Sequence, residues 1–338
     1  MAETFEAAVC TALTGPDALR LERLLRQPLD AGSLRIAVRA AGVNFPDYLM
    51  TKGEYQLRPE PPFVPGMEVA GIVVERGVAA RRFAVGDRVM AMTRTGGFAA
   101  EVTVAEGHVF PLPGSFSFED GASFLVPMRT AYHALIDRGG LAGGETVLVL
   151  GATGGVGMAA VQLARHRGAR VIAVGSDDGK LAVVREAGAN HVLNHRQVPL
   201  VEAVRGLVPA VDIVFDPVGG ALAPEAARLL GWGGRFLVIG FASGEIPRFA
   251  ANLALIKGYS IIGVRAGEAA RRDPPSLGAS IATLVAWAEE GDLKPRISHR
   301  FALPDAREAL ATLAGRRVVG RVVLDLAAGA TGPADATN

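Results

Sequence analysis

The stretch Thr146-Val-Leu-Val-Leu-Gly-Ala-Thr-Gly-Gly-Val-Gly157 constrains this chain more than any other. A short run that suits a buried strand breaks into a glycine-rich turn. The turn feeds Met158-Ala-Ala-Val-Gln-Leu-Ala-Arg165, good helix formers with apolar residues at helical spacing. Strand, glycine turn and helix form the context in which a phosphate-cradling fingerprint carries weight. Glycines let backbone amides approach a pyrophosphate, and the helix N-terminus offers unpaired N–H groups and partial positive charge. The strict G-x-G-x-x-G spacing is not met, because Ala152 stands where the first glycine belongs, ahead of Gly154, Gly155 and Gly157. An ordinary strand–helix connection is the alternative reading.

With 338 residues, about two domains are expected. Half the residues are apolar and 20% are charged, enough to build large cores. A net charge of +1 gives no electrostatic reason to expect nucleic acid or an anionic membrane as a partner. The apolar runs are strand-length, so no membrane span is expected. Met1-Ala-Glu-Thr-Phe-Glu6 has neither a basic nor an apolar leader segment, and a cytoplasmic location is the expectation. The single cysteine, Cys10, allows neither an intrachain disulfide nor a multi-cysteine zinc site.

Residues 1–125 read as short strands with turn punctuation. Ser33–Arg39 alternates with period two, and Gly66–Val74, Gly86–Ala91 and Gly97–Val104 are similar. An all-β domain, a small barrel, fits them. Asn44 to Pro65, rich in Pro, Tyr and Phe, reads as a long connecting loop. Gly121 to Asp137 looks helical. Strand candidates at 146–150, 170–175, 191–193, 211–216, 234–240 and 258–264 then alternate with helices near 155–167, 178–187, 198–207 and 221–230. Such alternation predicts a doubly wound parallel sheet, and six strands with the glycine turn after the first is the Rossmann arrangement. A helix over 278–290 follows, then strand, helix and strand at Ile297–Leu303, Asp305–Leu313 and Arg321–Leu326, which predicts a return to the first domain. The tail Ala327–Asn338 is small and polar and is expected to fray.

Five motifs occur in order: Ala41-Gly-Val-Asn-Phe-Pro-Asp47, Pro65-Gly-Met-Glu-Val-Ala-Gly71, Val85-Gly-Asp-Arg-Val89, Gly97-Phe-Ala-Ala-Glu101 and the glycine turn. Together they resemble the medium-chain dehydrogenase/reductase superfamily, specifically its zinc-independent NADPH:quinone oxidoreductase branch, over roughly residues 5–325. The resemblance implies an α/β chain: a six-stranded Rossmann domain, residues 126–266, inserted into a GroES-like β-barrel catalytic domain, residues 1–125 and 267–338. The zinc-dependent relatives need a Cys and a His as ligands. Here Asn44 holds the cysteine position and Met67 the histidine position, so no metal site is expected.

The same resemblance assigns roles. Asn44 and Tyr55 match polar positions that line the nicotinamide site. Asn44 would donate from its amide to the nicotinamide or the substrate oxygen, and Tyr55 would donate its hydroxyl to the enolate oxygen. The plainer readings are a turn-capping Asn44 and a Tyr55 that only packs. Leu49 stands at the branch's second tyrosine position, which leaves solvent as another proton source. Thr130 would lie near the nicotinamide ribose and Val156 behind the ring; a hydroxyl bonded to its own helix is the alternative for Thr130.

Cofactor choice is read after the second Rossmann strand, where NADP needs positive charge for a 2′-phosphate. Ser176 and Lys180 match the branch's phosphate contacts, Arg196 beside His195 adds a second cation, and Arg316 corresponds to another phosphate-side arginine in some relatives. Asp177 and Asp178 oppose this if they point inward. NADPH is the expected cofactor. Phe241 and Arg265 follow the fifth and sixth strands and are expected to face it, against readings as core aromatic and surface cation. The expected activity is hydride transfer to a small-molecule quinone or α,β-unsaturated carbonyl. Two rivals stand beside it, an enoyl-CoA reductase of the acryloyl-CoA type and a non-catalytic, crystallin-like NADPH-binding protein. The edge run 258–264 predicts a homodimer.

Overall fold

The computed structural model describes residues 3–326. The predicted fraying of Ala327–Asn338 lies outside the described residues. The chain forms two compact units, one from the chain up to Val126 together with the stretch from Lys294 onward, the other Pro127–Leu293.

The first unit opens with an antiparallel pair, β1 (Thr4–Cys10) and β2 (Leu19–Leu25). Strands β3 (Ser33–Val43), β4 (Glu68–Arg76), β5 (Arg88–Met92), β6 (Glu101–Ala105) and β7 (Val109–Pro111) follow, with short helices α1 (Phe45–Thr51) and α2 (Phe118–Ala122). β3 is the spine: it is buried almost end to end and pairs with β4 and β6. The expected loop 44–65 therefore begins with a helix. The sequence disguised it with aromatics, yet Pro46 stands in its first turn and the Asp47 carboxylate accepts from the Asn44 N–H at 2.8 Å, one half of a capping arrangement.

In place of one helix over 121–137, α3 (Leu125–Tyr132) runs into a single wide turn of π-helix, His133–Arg138, after α2. The second unit then alternates β8 (Thr146–Val149), α4 (Gly155–His166), β9 (Arg170–Gly175), α5 (Asp178–Glu186), β10 (His191–Asn194), α6 (Leu200–Arg205), β11 (Val211–Asp216), α7 (Leu222–Ala227), β12 (Leu230–Val238), α8 (Ala251–Lys257) and β13 (Ser260–Gly263). All pairings are parallel, in the order β10-β9-β8-β11-β12-β13, the doubly wound arrangement expected. β8 is buried at every position, as a strand covered on both faces must be. Helix α8 was not foreseen.

Helices α9 (Ala266–Arg272) and α10 (Pro274–Glu289), expected with the catalytic domain, belong to the second unit. α10 buries Leu277, Ile281 and Leu284, its Trp287 packs on His166 at 4.4 Å, and His166 Nδ1 meets Asp292 at 3.0 Å. These contacts hold the stretch to α4. Beyond it, β14 (Ile297–Ala302) and β15 (Arg321–Asp325), separated by α11 (Ala306–Ala314), rejoin the first sheet, β15 antiparallel to β3. Among the described residues no helix is long and apolar enough to cross a membrane.

Candidate functional site

In the first unit the sheet register assembles a buried polar cluster. β3 lies between β4 and β15, with Gly42 opposite Glu68 and Val43 opposite Val322. The end of β3 is therefore flanked by Glu68 on one side and Arg321 on the other. Gly42 is obligatory here: a Cβ would lie 2.7 Å from Glu68 Oε1 and 2.0 Å from the Ala122 carbonyl oxygen.

Asn44, at the N-terminus of α1, sits among these charges. Its Nδ2 donates to Glu68 Oε1 at 3.1 Å and more loosely to the Gly42 carbonyl at 3.3 Å, while its Oδ1 accepts from Arg321 Nη1 at 2.9 Å. Arg321 Nη2 also bonds Glu68 Oε1, and Glu68 Oε2 accepts from the Val126 amide at 3.0 Å. The Asn44 side chain is thus held on both faces by protein. Burial pushes the Glu68 carboxyl up, while Arg321 and the donors from Val126 and Asn44 pull it back.

Asp47 completes the cluster. It is fully buried, and its second oxygen accepts from the Gly66 N–H at 3.0 Å, tying α1 to the start of β4. Burial raises its carboxyl to about 7, against the two backbone donors. Tyr55 lies in the connection after α1, half-buried.

In the second unit the corresponding construction uses backbone. Gly151 takes the left-handed conformation (φ +59°), and Gly154 starts α4, whose first turn is Gly155, Val156 and Gly157. A Cβ on Gly157 would lie 2.3 Å from the Gly151 carbonyl oxygen, so only glycine lets the helix come this close to the strand. Ala152 is buried with its N–H bonded to Val174, and Gly151 supplies the tight turn that the fingerprint's first glycine would make.

Ser176 is exposed after β9, and Lys180 lies in the first turn of α5. The His195 N–H bonds the Gly175 carbonyl at 3.0 Å, which brings Arg196 to the same end of the sheet. Burial, and after it Arg196, lowers the His195 imidazole. Asp177 caps α5 by accepting from Lys180 N at 2.9 Å, and Asp178 accepts from Asn194 and Gln197 at 2.9 and 2.7 Å. Both carboxylates are therefore engaged in holding this turn. Phe241, after β12, is the side chain nearest to a Cβ built on Gly219, in the turn that Asp216 braces by accepting from Val218 and Gly219. Arg265 is exposed at the start of α9.

Thr130 is half-buried in α3; its neighbour Arg129 is buried and reaches Asp137 at 3.3 Å, which also bonds His133 Nδ1 at 2.8 Å. Arg316 belongs to the first unit, after α11, and has a positive φ of 55°.

Sequence reasoning missed the parts played by Asp47, Glu68 and Arg321. Glu68 carried a usable signal, a charge inside the apolar run that begins β4. Arg321 heads an equally apolar strand, but nothing local pairs the two.

Residues 30–114 match the alcohol dehydrogenase GroES-like domain family, and residues 155–282 the zinc-binding dehydrogenase family. Quinone oxidoreductase-like protein 2 of Bos taurus is 34% identical over 95% of this chain and 93% of its own length. Human quinone oxidoreductase is 33% identical, covering 92% of this chain and 94% of that protein. The solved quinone oxidoreductase of Thermus thermophilus, also determined in complex with NADPH, is 33% identical with a TM-score of 0.83, covering 95% of this chain and all of that one. This likeness extends over both units, and the chain belongs to the medium-chain dehydrogenase/reductase superfamily, with quinone oxidoreductase-like relatives.

Proposed function

We propose that this protein is an NADPH-dependent, zinc-independent oxidoreductase that delivers a hydride to a quinone or another α,β-unsaturated carbonyl. The observation that carries the cofactor is the close seating of Gly157 on Gly151, which opens the first turn of α4 to a pyrophosphate. The NADPH complex of the Thermus thermophilus relative supports it. Ser176, Lys180 and Arg196 would hold the 2′-phosphate, with Arg316 and His195 as further contacts. Asp177 and Asp178 are turned to donors of their own turn, and the cations there outweigh the charge they leave beside the phosphate.

Bound NADPH supplies the hydride. Thr130, Val156, Phe241 and Arg265 would hold the nicotinamide end, and Asn44 and the Tyr55 hydroxyl would donate to the oxygen on which charge develops. Tyr55 or solvent provides the proton. Zinc does not fit the donor set. Asn44 offers an amide committed to Glu68 and Arg321, Met67 a thioether, and among the described residues no three His, Cys, Asp or Glu side chains gather as a metal site.

A second copy of the chain is the proposed partner. β13 is an edge strand whose Ile261 is exposed, and Trp232, Leu255 and Ile256 in the same unit are exposed too. A monomeric mass by light scattering would overturn that part.

The test follows NADPH absorbance in metal-free protein with 1,4-benzoquinone, a simple alkenal and crotonyl-CoA, with NADH as control. Quinone or alkenal turnover with NADPH is expected. Preference for the thioester moves the protein to the enoyl reductases, and tight NADPH binding without turnover leaves a binding protein. Lys180→Ala should weaken NADPH far more than NADH; equal losses would remove Lys180 from phosphate recognition.

A further inference from the structure

We propose that Arg321 is a positioning residue for the reaction: its guanidinium, delivered by β15, decides which way the Asn44 amide faces. The inference rests on the reading of Asn44 as a participant. The two ends of an asparagine amide are nearly equal in shape and opposite in chemistry, so packing alone does not choose between them. Here charge chooses. Oδ1 accepts from Arg321 Nη1 at 2.9 Å, Nδ2 donates to Glu68 Oε1 at 3.1 Å, and Arg321 Nη2 closes the ring on the same Glu68 oxygen.

Turning the amide over would set an NH2 group against the guanidinium and an oxygen against the carboxylate. All three side chains are buried, Asn44 at 3%, Glu68 at 0% and Arg321 at 6% exposure, so water could not relieve either clash. The orientation is therefore single. The second Nδ2 hydrogen meets the Gly42 carbonyl at 3.3 Å, the longest of the amide's contacts, and is the one that an acceptor of the substrate would take over. Donation from Arg321 into Oδ1 also withdraws charge from the amide and strengthens that N–H as a donor.

The experiment follows the Asn44 side-chain NH2 resonances in 15N-asparagine-labelled protein, identified by their absence in Asn44→Ala. Arg321→Gln is expected to shift both signals and speed their exchange with water, and Arg321→Lys, which has one donor centre instead of two, to give an intermediate result. In turnover, Arg321→Gln should lower kcat on the order of 10- to 100-fold while NADPH affinity holds, because a small misplacement of a reacting contact costs that much. In an Asn44→Ala background Arg321→Gln should cost nothing further in kcat. NADPH binding and thermal unfolding show whether each variant is folded; if Arg321→Gln is not, Arg321→Lys decides. Unchanged Asn44 signals in a folded Arg321 variant, or losses in kcat that simply multiply, would overturn the proposal. Slow Asn44→Ala with normal Arg321→Gln sinks the positioning role alone, whereas full turnover in Asn44→Ala sinks the role assigned to Asn44 as well.

Discussion

The two units build their candidate sites from different material. The first uses side chains: Asn44, Glu68 and Arg321 converge, with Arg321 lying 277 residues from Asn44 in sequence. The second uses backbone: Gly151 to Gly157 form one continuous turn whose important property is the absence of Cβ atoms. A side-chain site is specific but depends on charges that are costly to bury unless every partner is present. A backbone site has no charge to neutralise, yet it has no tolerance for volume.

That contrast sets the expected effects. Arg321→Met leaves Glu68 buried without its cation and should cost about 3–5 kcal/mol in urea unfolding. Pairing it with Glu68→Gln should restore a large part, since the residual charge is gone. If the single variant loses less than about 1 kcal/mol, in the range of an exposed pair, the first unit does not depend on this charge pair.

Gly157→Ala comes next, at about 1–3 kcal/mol with loss of NADPH affinity, because its Cβ meets a carbonyl oxygen at 2.3 Å. Gly154→Ala is the control: a Cβ there would lie 3.5 Å from the Gly151 carbonyl oxygen, an ordinary contact. Equal losses at the two positions would mean that close approach is not what the turn requires.

Asp47 sharpens the side-chain half through pH. Its folded-state value is raised from 3.8 to about 7, so between these values the folded chain keeps a proton that the unfolded chain releases. The stability this group contributes is complete below 3.8, falls as pH rises through that window and is gone above 7. Asp47→Asn should remove this slope when denaturation is compared at about pH 5 and pH 8; an unchanged slope would assign it to another group. The smallest effect is expected at the exposed cap Asp177. Asp177→Ala should cost about 1 kcal/mol and leave NADPH affinity intact or improved. A marked loss of affinity would show that Asp177 serves the cofactor itself.

The same division explains what could be read in advance. The glycine turn and the strand–helix alternation are local patterns, and the six-stranded parallel sheet followed from them. The return to the first sheet was legible because 297–326 has the wrong element order to extend a Rossmann unit. The Asn44–Glu68–Arg321 ring was not legible, since it depends on the register of β3 against β4 and β15, and no local pattern states a register. Asn44 itself was singled out, but the two protein charges that hold its amide were not foreseen. Helix α1 was hidden by aromatics, and α10 was placed in the wrong unit because its attachment is a tertiary contact of Trp287 and Asp292 with His166.

The position of β15 also bears on the order of events during synthesis. All six strands of the second unit have been made once the chain reaches Gly263, so its sheet can form while the first unit is still incomplete. β3, in contrast, keeps the Ala40–Val43 part of one edge unpaired, beyond its pairing with β6, and Glu68 lacks its guanidinium until Arg321 emerges. A chain halted in that interval displays an open strand beside a buried acid, which is where association between unfinished copies would start. Early folding of the second unit shortens the exposure: it replaces a long flexible loop between β7 and β14 with a compact body, so the last strands have less conformational space to search before they reach β3.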